Sequence, residues 1–137
     1  MGLREDILAL VLEHSGVKPE KLNPADIFGS SGMEGDGADE FLETFAEEFT
    51  VNLDEFRYYF HYIGDEPPTS RRVFPVGSDG KEIPFWPITL DQLVAAAQAG
   101  RWQLSYPTHE IRTRWISDHY LAFFVLMVAG FALLIAC

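Results

Sequence analysis

The chain has 137 residues, 47% of them hydrophobic and 23% charged; the length suits one domain, and the balance argues against wholesale disorder. Its net charge of −11 is carried by Met1 to Glu55, where fourteen Asp/Glu stand against three Lys/Arg; the remainder holds seven of each. So acidic a segment disfavours nucleic acid as a partner and steers basic protein surfaces toward it, unless it is a solvated face that confers only solubility.

Helical spacing of Ile7, Leu8, Val11 and Leu12 predicts a first helix over 5–13, with acids at its start. Gly16, Pro19 and Pro24 then mark a long connection, from which Leu22 and Ile27 are expected to plug the core. A second helix is predicted over 37–49. Phe41, Leu42, Phe45 and Phe49 form its apolar face, Glu40, Glu43, Glu47 and Glu48 the other, and Asp36 or Asp39 is placed to cap its free amides. The aromatic-rich stretch 54–63 reads as a third, shorter helix, followed by a polar break containing Arg71 and Arg72. Val73 to Ile83 reads as a small hairpin turning at Asp79-Gly80. After Pro87, Thr89 and Gln92 have capping-box spacing, and Leu90, Leu93, Val94 and Ala97 predict a last helix that stops at Gly100.

Tyr120 to Cys137 contains no charge over eighteen residues, which as a helix spans roughly 27 Å, close to the hydrocarbon thickness of a bilayer. The expectation is a C-terminal transmembrane anchor built on Phe123, Phe124, Leu126 and Phe131, with Trp115 and Tyr120 as interfacial aromatics. Arg101, Arg112 and Arg114 precede it and no charge follows, so the orientation rule places the N-terminal domain in the cytoplasm at the inner membrane. The expected organisation is a cytoplasmic domain over 1–102, a linker over 103–118 and a tail anchor over 119–137.

Chemistry-bearing patterns are sparse. His14, His61, His109 and His119 have no ligand spacing, and the single cysteine, Cys137, supports neither an intrachain disulfide nor a cysteine zinc site. Glu34, Asp36, Asp39 and Glu40 lack the ligand order of a calcium loop, so no metal is expected. No phosphate loop, nucleophile elbow or zincin motif occurs, and no catalytic residue is assigned. The aromatic run Phe56, Tyr58, Tyr59, Phe60 and Tyr62 serves either as core or as an exposed platform.

The acidic second helix ending in Glu47-Glu48-Phe49-Thr50-Val51-Asn52-Leu53, after a long first loop, resembles an acyl carrier protein. The chain looks closer still to a bacterial family of unknown function with an acyl-carrier-like fold. That likeness rests on Gly35-Asp36-Gly37-Ala38-Asp39-Glu40 and on Pro87-Ile88-Thr89-Leu90 with Ala99-Gly100-Arg101-Trp102. The resemblance implies a mainly α, acyl-carrier-like helical bundle with a small β-hairpin insertion, to which the transmembrane helix is added. Acyl carrier proteins attach phosphopantetheine to a serine at the start of their second helix; here the ungapped alignment puts Gly35 there, and glycine cannot be modified. Ser30 and Ser31, a few residues upstream, are the alternative attachment sites for a working carrier. By resemblance and charge together, Asp36, Asp39, Glu40, Glu43, Glu47 and Glu48 are the expected contact residues for a basic protein partner. The leading expectation is therefore a non-catalytic, membrane-held interaction module without cofactor. A phosphopantetheine carrier and a tail-anchored regulatory or immunity-like protein are the competing ones.

Overall fold

The computed structural model describes residues 2–64 and 71–115. These form four α-helices, α1 (Leu3–Ser15), α2 (Ile27–Ser31), α3 (Gly35–Phe49) and α4 (Leu90–Ala99), and two strands, β1 (Arg71–Gly77) and β2 (His109–Trp115). Single 3-10 turns lie at Pro19–Lys21 and Tyr58–Phe60.

The three long helices lie where their apolar spacing predicts, but α3 starts at Gly35, two residues before the expected start, after Glu34 and without a side-chain cap, so neither Asp36 nor Asp39 caps it. α1 ends at Gly16, whose φ of 68° returns its N–H to Leu12 O, a left-handed conformation that costs glycine nothing. α4 opens on a complete capping box: Thr89 Oγ1 accepts from Gln92 N at 3.0 Å and Gln92 Oε1 accepts from Thr89 N at 2.9 Å. α3 buries Ala38, Phe41, Leu42 and Phe45 along one stripe and leaves its acids in water. Its stop residue, Thr50, is in the left-handed region at φ 53°, where a side chain normally carries strain.

Ile7, Leu10 and Val11 of α1 pack with Phe41, Leu42 and Phe45 of α3 and with Leu90, Leu93 and Ala96 of α4, closed by Ile27 and Phe28 of α2 and by Ile88 and Trp102 from the loops. A salt bridge from Arg4 to Asp91 ties α1 to α4 at the surface. The junction of α3 and α4 is fixed by the backbone: Asn52 N donates to Gly100 O, and Trp102 N donates to Asn52 O.

Further expectations change. The stretch 54–63 is not a helix but a coil with one 3-10 turn, because its rings are taken up by partners remote in sequence: Phe56 by Trp102, Phe60 by Trp86, Tyr106 and His109. The short α2 was not expected; Asp26 caps it by accepting from Gly29 N at 3.1 Å. The Asp79-Gly80 turn forms, with Gly77 N donating to Lys81 O and Ile83 N to Pro75 O, yet the return segment forms no strand and pairs with β1 through the isolated bridge of Val76 with Glu82. The main partner of β1 is β2, antiparallel in the register Arg71 with Trp115 through Gly77 with His109. Residues expected as a linker therefore supply a strand.

The fold class itself is corrected to four helices plus a two-stranded antiparallel sheet. Among the described residues no helix is long and apolar enough to cross a membrane. The longest, α3, has fifteen residues, roughly 22 Å against a hydrocarbon core of roughly 30 Å, and one side of it is acidic. The transmembrane helix, the tail anchor and the inner-membrane location find no support in this fold. Trp115, expected at a membrane interface, is instead the last residue of β2. Tyr120, Phe123, Phe124, Leu126 and Phe131 lie outside the described residues.

Candidate interaction surface

α3 places the expected contact residues by its period. Asp36, Glu40, Glu43 and Glu47 are spaced four, three and four apart and so form one stripe, with Asp39 and Glu48 on its flanks. All six are exposed. Among the described residues the ion pairs join Arg4 with Asp91, Arg72 and Arg114 with Glu82, and Arg112 with Glu110; none involves α3. The acidic face is thus not neutralised from within the described fold. Of these six, Asp39 alone has a side-chain hydrogen-bond partner among the described residues: Tyr62 Oη donates to its Oδ1 at 2.6 Å. Burial of Tyr62, and then this bond to a carboxylate, push the phenol well above its ordinary range.

Beside the stripe lies a groove of about 430 Å³. Asp39, Leu42, Glu43 and Ala46 form one wall, at the spacing of neighbours on a helix surface; Leu53, Phe56, Tyr58 and Tyr62 form the other. Phe56 is held between the parallel ring of His61, 5.2 Å away, and the edge-on ring of Trp102, also at 5.2 Å. The question of core or platform thus resolves by residue: Tyr59, Phe60 and Tyr62 are buried, while Phe56 and Tyr58 are half-buried on the groove wall.

Behind that wall is a buried polar cluster that the sequence did not announce. His61 is 6% exposed; its Nδ1 lies 2.8 Å from Trp86 O and its Nε2 lies 2.8 Å from Tyr106 Oη. Donor counting fixes its state. A carbonyl only accepts, so Nδ1 carries the proton and Nε2 of the neutral ring accepts from Tyr106. Tyr106 Oη in turn accepts from Trp102 Nε1 at 3.0 Å and from Arg57 N at 3.4 Å, which fills its lone pairs. Burial drives the His61 pKa down to about 4, opposed in part by the bond to the Trp86 carbonyl. No local motif could have revealed the cluster, since Tyr106 is 45 residues from His61.

Ser30 and Ser31 sit on α2, away from the start of α3. Ser30 Oγ donates to Asp26 O at 2.6 Å and accepts from Asn23 N at 2.9 Å, while Ser31 Oγ lies 3.4 Å from both Phe28 O and Met33 N. Gly35 is the first residue of α3; its φ of 55° suits glycine, and its N–H donates to Ile63 O at 2.9 Å. No group of three or more acidic, His or Cys side chains able to hold a metal occurs among the described residues. Arg72, read from sequence as part of a polar break, lies in β1 and pairs with Glu82 at 3.1 Å.

No curated protein and no solved structure matches the chain. A family described as a protein of unknown function, DUF1493, matches residues 4–105, which span α1 through α4 and both walls of the groove. The chain belongs to the DUF1493 family.

Proposed function

We propose that this chain is a non-catalytic interaction module that offers the acidic face of α3 to a protein partner with a basic surface. The observation that carries the reading is the exposed stripe of Asp36, Glu40, Glu43 and Glu47, with no ion pair to it among the described residues. Unpaired charge of one sign on a rigid helix raises the encounter rate with an oppositely charged surface and rejects acidic ones. Carriage of a prosthetic group is not part of the proposal, since position 35 is a glycine and the hydroxyl of Ser30 is engaged by Asn23 N and Asp26 O.

Charge reversal tests it. With the chain as bait in its own host, Glu43→Lys together with Glu47→Lys is expected to remove the basic partners that the wild-type chain retains. Both positions are exposed, so the variant should melt within a few degrees of wild type. Retention of the same partners by a folded variant refutes the proposal.

A further inference from the structure

The groove along α3 says what kind of basic partner the acidic face takes. Its floor and walls are apolar side chains of two separate elements, Leu42 and Ala46 from α3 and Leu53, Phe56 and Tyr58 from the segment after it. Its rim carries Asp39 and Glu43, and Glu47 continues the same stripe one turn on. The groove has a volume of about 430 Å³, with room for several side chains of a partner. The walls are set before any partner arrives: Phe56 is clamped between His61 and Trp102, and the Tyr62–Asp39 hydrogen bond fastens the far wall to α3. Little ordering is then left for binding to impose.

We infer that this groove is the docking site for a basic amphipathic helix of a partner protein, whose apolar side chains enter between Leu42, Ala46 and Phe56 while its Lys or Arg residues meet Asp39, Glu43 and Glu47. Charge selects this occupant. An apolar trough bordered on the α3 side by carboxylates complements a segment that is apolar on one face and cationic beside it, the helix-in-groove mode of recognition. An acidic segment is repelled at the rim, and a second copy of this chain would bring its own −11 against the first. The inference rests on the acidic-face reading above and adds to it a requirement for apolar contact.

The probe is a pair of synthetic 18-residue Leu/Lys peptides of equal composition, titrated into the full chain and read by fluorescence anisotropy. In one peptide the leucines follow helical spacing; in the other they are shuffled so that no apolar face forms. The helical peptide is expected to bind at least tenfold more tightly. Ala46→Trp, which fills the groove from an already helical and half-exposed position, is expected to weaken that peptide at least fivefold and leave the shuffled one unchanged. Glu43→Gln with Glu47→Gln is expected to weaken both. Circular dichroism melts are the check that each variant is folded, and Ala46→Leu serves as a milder filling should the indole disturb the helix.

Equal binding of the two peptides, with both weakened by the glutamine variant, overturns the groove and leaves the acidic face standing. Binding indifferent to the glutamine variant overturns the acidic face itself. No binding by either peptide overturns both. A chain that sediments as a dimer, and as a monomer once Ala46→Trp is introduced, assigns the groove to a second copy and overturns the peptide reading.

Discussion

Acidification should weaken this fold through His61, and the amount follows from the geometry. The ring is held neutral, with Nδ1–H on the Trp86 carbonyl and Nε2 accepting from Tyr106, whose lone pairs are already occupied by Trp102 and Arg57. A second proton on the ring would face the Tyr106 oxygen with no lone pair left to receive it. The folded-state pKa is about 4 against an ordinary 6.5. A depressed histidine pKa means that the unfolded chain binds the proton first. The stabilisation is therefore complete above pH 6.5 and is lost as pH falls toward about 4. The whole gap is worth about 3 kcal/mol, and about 2 kcal/mol of it is lost between about pH 7 and about pH 4.5.

The assay is urea unfolding of the full chain at those two pH values, compared with His61→Gln. Carboxylates also titrate in this range, but both chains share them, so the difference between the two pH dependences isolates the imidazole. The variant should be less stable at neutral pH, by about 1–3 kcal/mol for the broken hydrogen bonds, and should lose about 2 kcal/mol less than wild type on acidification. Parallel losses in the two proteins would refute the assignment of a neutral, fully bonded His61.

Three further outcomes follow from other parts of the fold. Thr89→Ala removes one half of the capping box on α4 and is expected to cost about 1 kcal/mol in urea unfolding, with the loss absent if the helix start is held by other contacts. Gly100→Ala forces a side chain into φ 74° where α4 ends against Asn52, and a loss of about 1–2 kcal/mol is expected in the same assay. Glu82→Gln leaves Arg72 and Arg114, cross-strand neighbours on β1 and β2, without the carboxylate that joins them at 3.1 and 3.0 Å. The sheet amides should then exchange faster by roughly tenfold, matching about 1 kcal/mol, while α1 and α3 are unaffected.

The parts of the fold that were legible in sequence are those whose signals are local. α1, α3 and α4 each repeat apolar residues at the helical period, and the Thr89-Gln92 box and Gly100 are boundary chemistry contained within a few residues. The stretch 54–63 misled because its density of rings suits several environments. Only Trp86, Trp102, Tyr106 and His109, all brought from beyond β1, decide that it runs as coil. β2 was missed for a similar reason. His109 to Trp115 has few buried apolar residues of its own, with Ile111 56% exposed, and becomes a strand because β1 offers an edge across α4 in the chain.

The same division runs through the candidate site. The six acids of α3 are visible from spacing alone, whereas the groove needs Leu53, Phe56 and Tyr58 to be laid against Leu42 and Ala46 by packing that no window of sequence contains. The tail carries the same kind of local signal, apolar length, and lies outside the described residues, among which no helix is long and apolar enough to cross a membrane.

The central claim is that the acidic face of α3 is what a partner reads. Its most direct test is the association rate constant of a partner recovered with the wild-type chain, measured by stopped flow across increasing salt for wild type and for Glu43→Lys with Glu47→Lys. The account predicts a wild-type rate that falls steeply with ionic strength and a charge-reversed rate that is at least tenfold slower at low salt. Rates that coincide for the two proteins and stay flat with salt would contradict it.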